Sequence, residues 1–295
     1  MSTRPLSRTT LAAAAFAALT AAAGGAQAQM LVGLTSANQI TRFDAMTPGV
    51  STRVAITGLT AGDRFVGLDL RPSNNTLYGV TVSNNIYTIN EFTGVASFVA
   101  ALSSPVLTAG LSWGFDFNPV ADYAGGSSLR LIGAGGGNYA INVNTGAVTT
   151  ATSVPTGFTG AAYTNSNTTG APASTGLYYL NSATNTLGFA ATAFNNPTIT
   201  TVGSLGVDVL SANGFEILGN GMAYAALNID NGSLATGLYS INLTTGAATL
   251  MGQFTGTLTG LTVSVVPEPS TYMLMLAGLA LVGFTAKRRW GSNQR

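Results

Sequence analysis

Three of the ten acidic residues in this chain stand two positions beyond a glycine in short apolar stretches: Asp69 in FVGLDLRP, Asp116 in SWGFDFNP and Glu216 in ANGFEILG. Two further stretches share the frame, FTGAAYTN around Gly160 and LTGLTVSV around Gly260, and put Ala162 and Thr262 at the same place. If all five stretches line one axis, three carboxyls converge on it. Converging hard oxygen ligands suit Ca2+. Carboxyl pairs also hydrolyse glycosidic bonds, one as acid and the other as base or nucleophile. The structural alternative is that each acid accepts hydrogen bonds from backbone or from a neighbour such as Arg64, Arg71 or Arg130, which answers the cost of burial without any ligand. Other chemistry is excluded by composition. There is no Cys and no His, so thiol nucleophiles, Cys/His zinc sites, imidazole bases and Ser-His-Asp triads have no residues to use.

The glycines that set this frame, Gly67, Gly114, Gly160, Gly214 and Gly260, are 47, 46, 54 and 46 residues apart. Behind Gly67 come TLYGVTV, NIYTINEFTG and ASFVAAL, and behind Gly114 come LRLIGAG, NYAINVNTG and AVTTATS. MAYAALN, GLYSINLTTG and AATLMGQF follow Gly214, while the unit behind Gly160 is looser, with GLYYLNSATN, TLGFAAT and ITTVGSL. In each unit Tyr, Ile, Leu and Val alternate with Thr, Ser and Asn. Turns such as Thr93-Gly94, Thr145-Gly146 and Thr245-Gly246 separate the runs, as in a series of short strands. About four strands in each repeat of 40–50 residues is the arithmetic of a β-propeller blade. The last unit stops after one strand, TGLTVSVV, and the chain supplies MLVGLTSAN, QITRFDAMTPG and STRVAITGL near its start without a first strand. The expected fold is therefore all-β, with about five four-stranded blades over residues 29–265. The N- and C-terminal strands share a blade and close the ring, which removes open sheet edges. A long β-sandwich or solenoid with chance similarity is the competing reading.

Both ends read as addresses. Arg4 and Arg8 precede an apolar stretch and then Ala26-Gln27-Ala28. This is the pattern of a secretory signal peptide over residues 1–28, with Ala26 and Ala28 at the peptidase site. Residues 266–295 hold a second signal. Pro267-Glu268-Pro269 interrupts regular structure, and 17 uncharged residues, Ser270 to Ala286, follow it. As a helix these reach about 25 Å, slightly short of a hydrocarbon core of about 30 Å. Lys287, Arg288 and Arg289 then fit the positive-inside rule, so the segment is expected to be a single transmembrane helix with its C-terminus in the cytoplasm.

The order Val266-Pro267-Glu268-Pro269-Ser270, apolar run, basic tail resembles the PEP-CTERM sorting signal of Gram-negative bacteria. The resemblance implies recognition by an exosortase-type membrane transpeptidase, which removes the helix and passes the body to the envelope or extracellular matrix. The body itself resembles the bacterial domain of unknown function 4394 through GLDLRPSNNTLYGV, WGFDFNPVAD, GAAYTNS, TTVGSLGVD, GFEI and LYSINLTTGAATLMG. That family is usually exported and has no established activity.

Between Gln29 and Val266 there are five Arg, no Lys and nine acids, a balance of −4. Nucleic acid is a poor partner for such a surface. GAGGGNY, Gly133 to Tyr139, lacks the Gly-Lys-Ser/Thr ending of a phosphate loop, and Trp113 beside Phe115 reads as core. The expected function is a non-enzymatic exported protein of the envelope or matrix, contributing structure or binding exopolysaccharide or protein. In transit it would be held in the inner membrane by its C-terminal helix until processing. The alternative is an extracellular hydrolase or lyase acting on polysaccharide through Asp69, Asp116 and Glu216.

Overall fold

The computed structural model describes residues 29–107, 111–126, 128–229, 236–265, 276 and 278–280. Its strands fall into five four-stranded antiparallel sheets, each one blade of a propeller. β1 (Met30–Thr35), β2 (Gln39–Asp44) and β3 (Ser51–Ala55) begin blade 1. Blade 2 runs through β4 (Phe65–Arg71), β5 (Thr76–Thr81), β6 (Asn85–Ile89) and β7 (Ala96–Ala101). Blade 3 has β8 (Trp113–Phe117), a short helix α1 (Pro119–Tyr123), β9 (Leu129–Gly133), β10 (Asn138–Ile141) and β11 (Val148–Thr150). Blade 4 is β12 (Phe158–Tyr163), β13 (Leu177–Asn181), β14 (Thr186–Ala190) and β15 (Thr200–Ser204), and blade 5 is β16 (Val209–Ile217), β17 (Ala223–Ile229), β18 (Thr236–Ile241) and β19 (Ala248–Gln253). β20 (Leu258–Val263) then completes blade 1 by pairing with β1, Leu31 opposite Val263 and Gly33 opposite Leu261. The ring closes as the sequence predicts, with one C-terminal and three N-terminal strands in the shared blade.

Strand character follows distance from the axis. The inner strands are covered on both faces, and all five residues of WGFDF are buried. The outermost strand of blade 1, STRVA, buries none. Between blades the inner faces interlock: Tyr78, Val80 and Ile86 of blade 2 share one apolar cluster with Phe115, Phe117, Leu129, Leu131 and Ile141 of blade 3. Such apolar burial supplies the main favourable free energy of the fold.

The recurring glycines let the inner strands approach one another. A Cβ on Gly67 would lie 2.8 Å from Phe115 Cβ, and one on Gly114 2.7 Å from the Ala161 nitrogen. One on Gly160 would lie 3.3 Å from Phe215 Cβ, one on Gly214 2.5 Å from Leu261 Cβ, and one on Gly260 3.6 Å from Leu68 Cγ. Each glycine thus faces the residue that follows the next blade's glycine, once round the ring. The space left on the axis amounts to about 10 Å3, lined by these glycines and their neighbours, room for about one water molecule.

Leu276 and Gly278–Ala280 are helical. The remainder of the expected C-terminal helix lies outside the described residues, as do the signal-peptide residues Ala26 and Ala28, the motif Val266–Ser270 and the tail Lys287–Arg289. Among the described residues no helix is long and apolar enough to cross a membrane.

Candidate functional site

An inner strand pairs along one edge with its own blade and presents its other edge to the axis, where backbone N–H groups need acceptors. The side chain two residues past the repeat glycine provides them, and it does so across blades. Asp69 Oδ2 accepts from the Phe117 N–H at 2.8 Å, Asp116 Oδ1 from the Tyr163 N–H at 3.0 Å, and Thr262 Oγ1 from the Leu70 N–H at 3.1 Å. Every one of these donors lies three residues past the glycine of the following blade. The carboxyls and the threonine therefore tie blade 2 to 3, 3 to 4 and 1 to 2. Ala162, at the same place in blade 4, offers no such acceptor.

The same geometry gathers Asp69, Asp116 and Glu216, one oxygen of each lying within 4.8 Å of the others. They are 4%, 2% and 3% exposed, which puts them out of reach of a dissolved substrate. Thr262 joins the group: its hydroxyl lies 2.6 Å from Asp69 Oδ1 and 2.9 Å from Glu216 Oε2. A hydroxyl has one proton to donate. Only one of those two oxygens can receive it, so the other contact needs a carboxyl that carries its own proton.

The electrostatics agree. Burial, partly offset by hydrogen bonds from Thr262, Phe117 and Leu70, pushes the Asp69 carboxyl up to about 6. Burial and then the charges of Asp69 and Glu216 raise Asp116 well above the usual carboxylate range. Burial and then Asp69 do the same to Glu216.

This donor set fits shared protons better than a calcium ion. Ca2+ takes six to eight oxygens, whereas the cluster offers three carboxyls and one hydroxyl. Both Asp69 oxygens are already engaged by the Leu70 and Phe117 N–H groups and by Thr262. The arginine alternative does not hold for any of the three acids. Arg71 pairs instead with Asp122, Nε to Oδ1 at 2.6 Å, and Arg130 meets neutral groups. Replacing Thr262 by Val is expected to cost about 1–2 kcal/mol, the size of one or two buried hydrogen bonds left unmade. Replacing it by Ser should restore most of that loss. Urea unfolding measures both, and an unchanged midpoint for the Val variant would remove the hydroxyl from the network.

Gly133 to Tyr139 spans the end of β9, the turn at 134–137 and the start of β10, and Trp113 is buried in the cluster between blades 2 and 3. A second feature escaped the sequence reading: an open cleft of about 620 Å3 between blades 3 and 4, with Arg130 at its base. Its one signal in the sequence is an arginine inside the otherwise apolar strand LRLIG.

Fold and axis together define a five-bladed β-propeller whose blades are latched by buried side chains on the inner strands. More particularly, the chain belongs to the family described as domain of unknown function (DUF4394), which it matches over residues 39–262. Residues 265–289 match the PEP-CTERM protein-sorting motif, which makes the chain an exported, exosortase-targeted protein of the cell envelope. No curated protein matches the sequence. Among solved structures the chain is similar to a calcium-binding protein, regucalcin, of Agrobacterium tumefaciens, at 14% identity over 79% of this chain and 77% of that one, with a TM-score of 0.43. It is also similar to a protein of unknown function from Bacteroides caccae, at 12% identity over 80% and 98%, with a TM-score of 0.41. No ligand or activity is carried over from either.

Proposed function

We propose that this protein is a non-catalytic propeller that its C-terminal signal delivers to the outer surface or extracellular matrix, where it contributes structure or binds polysaccharide. The observation that carries the proposal is where the sorting motif begins. The ring-closing strand β20 ends at Val263 and the motif starts at residue 265. Between them the chain is pinned: the Ser264 hydroxyl donates to Glu91 Oε1 at 2.7 Å and the Val265 N–H to Glu91 Oε2 at 3.4 Å. An exosortase-type transpeptidase that recognises Pro267-Glu268-Pro269 would remove the apolar segment without touching a blade. Burial of Asp69, Asp116 and Glu216 supports a non-catalytic body, because a hydrolase needs its acid and its base within reach of substrate.

Intact mass in cells with and without the exosortase tests this. We expect loss of a C-terminal segment in the first, and retention in the second and in a Glu268→Ala variant. A chain of full C-terminal length in both strains would overturn the sorting role.

A further inference from the structure

Arg130 belongs to a row of directly opposed residues that crosses blade 3: Asp116 on β8, Arg130 on β9, Ala140 on β10 and Thr149 on β11. Opposed residues of antiparallel strands present their side chains on one face, so the row runs outward from the axis. Ala140 is short and Thr149 is exposed, and above them lies the cleft of about 620 Å3. Its far wall is the segment 193–196 of blade 4, and Asn118, the N-cap of α1, stands at its inner end.

Arg130 is 5% exposed, and all its partners are neutral. Nε donates to the Tyr163 hydroxyl at 3.1 Å, Nη1 to Asn138 Oδ1 at 2.8 Å and Nη2 to Asn195 Oδ1 at 2.9 Å. A guanidinium has five N–H donors, so two of them, one on each terminal nitrogen, have no partner among the described residues. Nor does any described carboxylate approach within 4.0 Å. Asp116, the neighbour in register, is turned to the Tyr163 N–H. The other covered arginines are matched, Arg71 by Asp122 and Arg42 by Glu91, and Arg53 and Arg64 are exposed. A buried charge without a counter-charge is costly, and an anion in the cleft would supply one.

We propose that this cleft binds a carboxylated sugar, a uronic acid unit of an extracellular polysaccharide, with its carboxylate on the two free N–H groups of Arg130. The proposal rests on the reading of the chain as an exported polysaccharide-binding propeller and gives that reading a site. One cation calls for one negative charge, which a uronate carries at neutral pH. Asn118, Asn195, Asn196 and Phe194 also line the cleft, polar residues beside an aromatic one, a composition suited to sugar hydroxyls and ring carbons. Clefts of several hundred Å3 hold small ligands, and this one has room for a disaccharide. The wall is also built in advance. Asn138 Nδ2 donates to the Phe194 carbonyl at 3.0 Å and the Thr152 N–H to the Asn195 carbonyl at 2.9 Å. Ala193 is held at φ 57°, a region that side chains other than glycine seldom occupy. Order fixed before binding lowers the cost of binding.

The test is calorimetric titration of the purified full chain, at low salt, with digalacturonic acid, with maltose as the neutral disaccharide, and with sodium sulfate. Saturable 1:1 binding of digalacturonic acid is expected, with maltose and sulfate each at least tenfold weaker. Thr149→Trp, a surface change that fills the cleft, should weaken the acid at least tenfold and leave the melting temperature unchanged. Arg130→Gln should weaken it as much, and if that variant does not fold, the Trp variant decides alone. Equal binding of maltose or sulfate, undiminished binding by Thr149→Trp, or no binding of the acid overturns the site. Failure here with normal C-terminal processing would leave the exported scaffold standing. Lost processing with intact uronate binding would do the reverse.

Discussion

Raising the pH from 5 to 8 lowers the melting temperature of the propeller, and the three axial carboxyls are the reason. Their folded-state affinity for protons exceeds that of an unfolded chain: burial lifts Asp69 from 3.8 to about 6, and Asp116 and Glu216 are also raised. In the unfolded chain these groups ionise near pH 4. Their stabilising effect is therefore complete below about pH 4 and fades as the pH climbs through the folded-state values, because above pH 4 the native state binds more protons than the unfolded one. For Asp69 alone, the part of this effect lost between pH 5 and 8 corresponds to about 1.4 kcal/mol, which in a domain of this size moves the melting temperature by about 3–6 °C. Within the cluster Asp69 faces Glu216, Asp116 and Thr262, and no arginine of the described structure pairs with these acids to reverse the sign. Glu216→Gln keeps a hydrogen-bonding group beside Thr262 while removing one ionisation, so it should flatten the pH profile and melt higher than the parent at pH 8. Millimolar Ca2+ at pH 8 should leave the melting temperature where it was. A rise with calcium, or a melting temperature that climbs from pH 5 to 8, would sink the shared-proton assignment.

Gly214→Ala removes about 3 kcal/mol or more of stability, at or beyond the upper end of ordinary overpacking, whereas Gly260→Ala costs less than about 1 kcal/mol. The two glycines hold equivalent places in successive blades, yet their surroundings differ. A methyl on Gly214 would fall on the Leu261 N–H, with the Gly260 carbonyl carbon at 2.6 Å. These are backbone atoms of the strand that closes the ring and cannot rotate away. A methyl on Gly260 would meet Leu34 Cβ at 3.3 Å and Leu68 Cγ at 3.6 Å, distances that a small side-chain adjustment absorbs. Denaturant unfolding of the two variants side by side makes the comparison, and equal losses would show that close approach of the inner strands is not what demands glycine at 214.

The ring was legible because rotational repetition turns equal places in sequence into equal places in space. Gly67, Gly114, Gly160, Gly214 and Gly260 mark the inner strands, and alternation of Tyr or Ile with Thr or Ser marks the outer ones. The same logic places Asp69, Asp116 and Glu216 on one axis. Their chemistry was harder to read, because it depends on contacts that cross blades: the Asp69 carboxyl meets a backbone donor 48 residues away in Phe117 and a hydroxyl 193 residues away in Thr262. No local pattern encodes such pairings. Arg71 shows the same limit. It stands two residues from Asp69, but its partners are Asp122 and Asn144 of the next blade. The cleft at Arg130 was invisible for a further reason: its far wall, 193–196, belongs to the unit whose repeat pattern is loosest.

Blade 1 borrows its innermost strand from the far end of the chain, and this fixes an order of events in time. Blades 2 to 5 are each built from consecutive strands and can assemble as they emerge from a translocation channel. Blade 1 must wait, because β1 has no inner neighbour until β20 has been delivered more than 220 residues later. Closing so long a loop costs entropy before any contact repays it, and pairings this distant in sequence slow folding. Until then the free edge of β1 is open to pairing with other chains. The interval between export of the first strand and arrival of the last is therefore the period in which this protein is most exposed to misassembly. A C-terminal segment that stays in the membrane after β20 has crossed would hold the chain apart from its neighbours while that strand docks on β1 and the ring shuts.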